Sequence, residues 1–182
     1  VETKKISYET AVSELHELLL DSVKIRLQSD VPIGSFLSGG IDSALISSLA
    51  SKISTEPINT FCIGFDDPEF DESKIAEKFG KIMKSNHKTT VCNQQDIVNL
   101  VPKLAKVYDE PFADSSALPT LLLNSVAKKH VTVALSGDGG DESFLGYDHF
   151  DSLIKNKAII DIPFTIRKLL SKPFFLNLIG KN

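Results

Sequence analysis

A chain of 182 residues, 42 % hydrophobic and 24 % charged with a formal charge of −4, carries enough apolar content to bury one ordinary core. No window approaches the roughly 18 uninterrupted apolar residues of a membrane span, and the start VETKKISYET lacks the apolar stretch of a signal peptide. The net negative charge argues against general affinity for nucleic acid, and the cytoplasm is the expected compartment.

From Ser7, a capping residue, the positions Val12, Leu15, Leu19, Val23 and Arg26 recur at helical spacing, so an amphipathic helix opens the chain. A short buried strand is expected over Val31 to Leu37, followed by a helix over Ile41 to Ile53 that carries Asp42 and Ser43 at its start. Ile58 to Phe65 reads as a second strand, Asp71 to Lys84 as a crossover helix, and Asn86 to Cys92 as a third strand rich in β-branched residues. Asn93 caps a helix that runs over QQDIVNLVPKLAKVYD, with a kink expected at Pro102. The segment EPFADSSALP is expected as a loop feeding the helix TLLLNSVAKKH. Val131 to Ser136 is a last strand ending in a second glycine cluster. This alternation of strands and helices predicts an α/β fold: a parallel sheet with helices on both faces.

Cys62 and Cys92 sit thirty positions apart in two expected strands, without a CxxC pair, so neither a zinc site nor a disulfide framework is expected. The charge is unevenly spread, because residues 151 to 182 hold six Lys or Arg against two Asp. Pro163 and Pro173 interrupt any long amphipathic pattern in that basic tail. It is therefore expected to pack on protein and not to lie on a membrane.

Ligands of open parallel sheets bind at the carboxyl ends of the strands, near the point where the strand order reverses. Both glycine clusters, Gly39-Gly40 and Gly137 to Gly140, follow strand ends. Three common glycine motifs fail by inspection. No glycine precedes Lys and then Ser or Thr, as a Walker A loop requires. A G-x-G-x-x-G fingerprint begun at Gly137 would need glycine where Glu142 stands, and a nucleophile elbow at Ser38 would need glycine where Phe36 stands. What remains is S-G-G-x-D-S at a strand-to-helix turn, where helix-start amides and the helix dipole cradle an anion. Ser38 and Ser43 add hydroxyl donors. Asp42 beside phosphates predicts Mg²⁺, since a carboxylate there is repulsive without a cation between. A second carboxylate is expected from SGDGGDE, which offers Asp138, Asp141 and Glu142.

LSGGIDS resembles the pyrophosphate-loop signature of the N-type ATP pyrophosphatases. Together with TFCIGF, DEPFADSSALPT and ALSGDGGDESFLGY it is similar to the synthetase domain of the glutamine-hydrolysing asparagine synthetases, over roughly Leu15 to Phe150. The resemblance implies a PP-loop ATP-binding domain over residues 1–150, with its core from about residue 30, and the start of a helical C-terminal part over 151–182. The synthetase region of that family continues well past this length. The family's N-terminal glutaminase domain, with its leading cysteine, is expected to be absent from this chain.

Carried onto matching positions, the resemblance implies that Ser38, Gly39, Gly40, Asp42 and Ser43 bind the pyrophosphate of ATP, and that Asp42 and Asp141 hold Mg²⁺. Adenine and ribose would lie against the main chain of Leu37 and Ile63, with Gly64 allowing close approach and Ser136 and Gly137 completing the contacts. Taken alone, Leu37 and Ile63 read as core residues. Asp138 stands where the better-known asparagine synthetases carry glutamate, and would act near the adenylate as a general base or as the counter-charge to an incoming ammonium. The alternative for Asp138 is a structural aspartate in a glycine turn, and Glu142 is expected to fix the loop. Asp109, Glu110 and Asp114 are weaker substrate-loop candidates, each of which also fits a solvated acid or a helix cap.

The implied reaction is attack of the aspartate side-chain carboxylate on the α-phosphorus of ATP, then displacement of AMP by ammonia derived from glutamine. The implied partners are ATP, aspartate and ammonia, with no nucleic acid and no membrane, and a homodimer is left open. Two alternatives remain at this point: a related enzyme that adenylates another carboxylate, of the β-lactam synthetase or peptide cyclase type, or a fragment that only binds nucleotide.

Overall fold

The computed structural model describes residues 4–111, 113–157, 161–164, 166 and 168. Most of the basic tail, and with it the expectation that the tail packs on protein, lies outside the described residues. The chain divides into two compact units, Val1–Asp138 and Gly139–Asn182.

The first unit opens with α1 (Tyr8–Arg26), capped by the Ser7 side chain, which accepts the Thr10 amide at 3.2 Å. Four strands follow in the expected order: β1 (Ile33–Phe36), β2 (Asn59–Phe65), β3 (Asn86–Cys92) and β4 (Val133–Leu135). Between them run α2 (Ile41–Ile53), α3 (Ser73–Met83), α4 (Gln94–Val107) and α5 (Ala117–Ala127). The strands form one sheet in the order β3-β2-β1-β4, with every pairing parallel. Strand order therefore reverses between β1 and β4, and the chain leaving each of these strands emerges at the switch point.

Alternation along β2 assigns the two faces. Cys62 clusters with Leu37 and with Ala76 of α3, while Val23 of α1 and Leu49 and Ala50 of α2 pack with Ile58 and Leu135. The neighbouring Phe61 points the other way, against Val131 and Ala127 of α5. Helices thus cover both faces, as the alternating pattern predicts.

Some boundaries differ from the sequence expectation, each for a local reason. β1 begins at Ile33, not Val31, because Pro32 has no amide to give the ladder and the Val31 amide turns back to Ser29 Oγ at 3.1 Å. Its pairing outlasts its last residue, since the Leu37 amide donates to the Phe61 carbonyl at 2.9 Å. α5 begins at Ala117, three residues before the expected start, because Pro119 falls in the first turn, where no intrahelical acceptor awaits its missing amide. It ends at Ala127, and Lys128 to His130 form a turn whose amides bond back to Asn124, Val126 and Ala127. α3 starts at Ser73, which leaves Asp71 and Glu72 outside the helix. α4 carries the expected cap as a full capping box, Asn93 with Asp96, and continues through Pro102.

Two buried hydroxyls lock α2 to the sheet. Ser35 of β1 and Ser47 of α2 are both fully buried, with their oxygens 2.8 Å apart. One of their two protons lies between them, and the other goes to a carbonyl, that of Leu135, 3.3 Å from Ser35 Oγ, or that of Phe36, 3.4 Å from Ser47 Oγ. The helix that follows the glycine loop is thereby held against β1 and β4 by bonds that no water competes for.

The second unit holds α6 (Gly140–Phe144) and α7 (Asp148–Lys155). Gly139 precedes α6 at φ 92°, a conformation open to glycine and strained for most other residues. Among the described residues no helix is long and apolar enough to cross a membrane.

Candidate active site

β1 ends at Phe36, Leu37 is buried, and the chain turns through Ser38, Gly39 and Gly40 into α2. Neither glycine of the pair has positive φ. A side chain at either position would be tight against a neighbouring side chain. A β-carbon on Gly39 would lie 3.0 Å from Glu72 Cβ, and one on Gly40 would lie 3.2 Å from Ser38 Oγ. Gly40 caps α2 without any side-chain hydrogen bond, so the first-turn amides, which have no intrahelical acceptors, are left for a ligand.

The two serines shape the turn as well as offering hydroxyls. Ser43 Oγ accepts the Ser38 amide at 3.1 Å and lies 2.8 Å from Ser38 Oγ, which in turn accepts the Gly40 amide at 3.1 Å. Ser43 Oγ also lies 3.2 Å from the Gly40 carbonyl, to which it donates. A phosphate that takes a hydroxyl proton from this network replaces one of these bonds and leaves the turn standing.

β4 delivers the second glycine cluster to the same place. A β-carbon on Gly137 would lie 2.6 Å from the Ser43 amide nitrogen and 2.9 Å from Asp42 Cβ, so the two chain segments are in direct backbone contact at the start of α2. Next to it, Ser136 Oγ donates to Asp138 Oδ2 at 2.9 Å, which aims the exposed Asp138 carboxylate back over its own loop. The structure thus brings together Ser38 to Ser43 and Ser136 to Asp138, stretches nearly a hundred residues apart. Asp42 is half-buried within that junction.

Gly64 packs closely on the start of α3. A β-carbon there would lie 3.1 Å from Asp71 Oδ1 and 3.2 Å from Ser73 Cβ. Asp71 accepts the amides of Phe65 at 3.3 Å and Ser73 at 3.1 Å, and the Ser73 hydroxyl at 3.0 Å. The Ser73 hydroxyl first, and then its amide, hold the Asp71 carboxyl below its ordinary range. Asp71 therefore clamps the end of β2 to the start of α3. The following residue, Glu72, reaches the glycine loop, and its Oε2 accepts the Gly39 amide at 3.0 Å. Sequence reasoning missed both acids. The available signal was the D-x-S pattern of an Asx turn at a helix start.

Asp114 accepts the Ser116 amide at 2.8 Å and is held below the usual carboxylate range mainly by that bond, which shapes the turn just before α5. Asp109 and Glu110 are exposed beyond α4. In the second unit, Asp141 and Glu142 occupy the first turn of α6. Glu142 accepts the Tyr147 hydroxyl at 2.6 Å, the main reason its carboxyl is lowered, so it fixes the turn that precedes α7. Both cysteines are buried, and burial first, with nearby acids, pushes the Cys62 thiol up to about 12. Such a thiol is no nucleophile. Among the described residues no three His, Cys, Asp or Glu side chains cluster as a metal cage.

A parallel sheet with helices on both faces, whose first strand runs through a serine-glycine loop into a helix start, defines a PP-loop α/β protein. The glutamine-dependent NAD⁺ synthetase of Acinetobacter baumannii in complex with ADP shares this fold: TM-score 0.54 and 21 % identity, covering 81 % of this chain and 29 % of that one. The family model for asparagine synthase matches residues 14–179, and the chain belongs to that family. It is 38 % identical over 159 residues to asparagine synthetase [glutamine-hydrolyzing] 1 of Bacillus subtilis, covering 87 % of this chain and 25 % of the relative. It is 30 % identical over 178 residues to asparagine synthetase B [glutamine-hydrolyzing] of Escherichia coli, covering 89 % and 31 %. The chain therefore spans about a quarter to a third of the length of these relatives.

Proposed function

We propose that the protein carrying this chain makes asparagine from aspartate at the expense of ATP, and that this chain supplies the nucleotide-binding half of that site. The observation that carries the reading is the contact of Gly137 with Asp42 and Ser43, within a chain of the asparagine synthase family. The contact places the two loops that the family resemblance assigns to ATP against each other. The names of its relatives support glutamine as the source of ammonia.

The Gly39 amide already donates to an anionic oxygen, that of Glu72, at 3.0 Å, which supports a phosphate fit. In this reading the amides from Gly39 to Ser43 and the Ser38 and Ser43 hydroxyls bind the β and γ phosphates. The uncapped start of α2 stabilises the negative charge that builds on the departing pyrophosphate. Asp42 would hold Mg²⁺, which when bound supplies charge neutralisation on the phosphates. The backbone beyond Leu37 and around Ile63 would take the adenine and ribose, with Ser136 and Gly137 closing the other side. Aspartate attacks the α-phosphorus through its side-chain carboxylate, giving β-aspartyl-AMP and pyrophosphate, and ammonia then displaces AMP. Asp138, held by Ser136, would take the proton that the ammonia nitrogen must lose as it bonds to the acyl carbon and AMP departs.

The test is to supply the complete protein with Mg·ATP and ammonia, and to measure AMP and asparagine with and without aspartate. Equal amounts of AMP and asparagine, dependent on aspartate, are expected. AMP formed only with a different carboxylic acid, or nucleotide binding without AMP, would overturn the assignment.

A further inference from the structure

Glu72 stands at the N-cap position of α3 and its side chain makes no capping bond, while its backbone carbonyl accepts the Ile75 and Ala76 amides at 3.0 and 3.1 Å. The residue is therefore anchored through its main chain, and Asp71 anchors the chain beside it to Phe65 and Ser73. From this fixed base the carboxylate crosses to the phosphate loop and takes the Gly39 amide at 3.0 Å. The segment from Asp66 to Glu72 carries five acids, Asp66, Asp67, Glu69, Asp71 and Glu72, and among the described residues no ion pair neutralises any of them. Asp42 adds a further carboxylate in the first turn of α2.

A polyphosphate approaching Gly39 thus meets a carboxylate already on its donor. Without a cation, the like charges repel at contact distance. With magnesium on the phosphates, much of that repulsion is removed, and the carboxylate can yield the amide without facing a bare anion. We infer that Glu72 is a specificity-determining residue of this loop: it makes occupancy conditional on a divalent cation by holding metal-free polyphosphate out of the Gly39 cradle. The inference rests on the nucleotide-binding reading given above.

The experiment measures binding of a non-hydrolysable α,β-methylene ATP analogue to the complete protein, in excess Mg²⁺ and in EDTA, for wild type, Glu72→Gln and Glu72→Ala. Gln keeps an oxygen that can accept the Gly39 amide, so a wild-type thermal midpoint is expected for it. Both variants should gain about tenfold in metal-free affinity, the scale of one charge pair near a protein surface, and change by less than about threefold with Mg²⁺. The gain should shrink at high salt. Unchanged metal-free affinity in both variants, with Mg²⁺-dependent binding intact, overturns the role of Glu72. A gain in Glu72→Ala alone would point to bulk and not charge, and overturns it equally. Failure of the wild type to bind the analogue even with Mg²⁺ overturns the nucleotide reading itself, and the inference with it.

Discussion

Gly137 lies so close to Asp42 that a β-carbon added to it would be 2.7 Å from the Asp42 carbonyl carbon. No rotamer relieves that contact, because the opposing atoms are backbone. Gly137→Ala should therefore push the β4 loop away from the start of α2, costing about 1–3 kcal/mol as an overpacked contact. Nucleotide affinity should fall further than stability does. Denaturant unfolding and nucleotide titration of the same variant check this, and an alanine variant with unchanged affinity would show that the contact does not shape the site.

In the proposed reading Asp42 holds a cation and does not serve the core. Asp42→Asn keeps the side-chain volume and removes the charge, so the fold should persist while Mg·ATP-dependent AMP formation drops by roughly 100-fold. Unfolding midpoints and AMP release separate the two effects. Normal turnover in this variant would remove Asp42 from the metal.

The buried serine pair predicts a coupled effect. Ser47→Ala leaves the buried Ser35 hydroxyl without its 2.8 Å partner and should cost about 1–2 kcal/mol. The double variant Ser35→Ala/Ser47→Ala should cost less than the two single changes added together, because the shared 2.8 Å bond is lost only once. Strict additivity in a double-mutant cycle would mean that the pair does not act as a unit.

His87 gives the molecule an acid-side sensitivity. Its Nδ1 lies 2.9 Å from the hydroxyl of the buried Thr60, and burial lowers the imidazole below its ordinary value despite the opposing pull of Glu77. A lowered value means that the unfolded chain takes up a proton first as pH falls. Stability is therefore full above about 6.5, declines as pH drops through the window between the unfolded and folded values, and levels off below it. Urea unfolding across this range should show the decline in wild type and a reduced one in His87→Gln.

Local chemistry made most of the architecture legible. Runs of β-branched and apolar residues set β2 and β3, the capping residues Ser7 and Asn93 set the starts of α1 and α4, and the glycine loop was readable as a phosphate cradle because three other glycine motifs failed on named residues. The start of α5 was misjudged because Pro119 signals a break in general but is neutral in a first helical turn. Asp71 and Glu72 were read as the opening of a helix, since nothing in a local window tells a helical acid from one that bonds across a turn.

The sequence by itself determined the order of strands and helices and the family to which the chain belongs, because each depends on residues within a few positions of one another. Only the tertiary structure decided that Gly137 touches Asp42, that Ser35 and Ser47 share a buried bond, and that Glu72 occupies the Gly39 amide. Those facts depend on which strand lies beside β1. That pairing is settled by burial and backbone hydrogen bonding summed over the whole sheet, and no short stretch of sequence contains it.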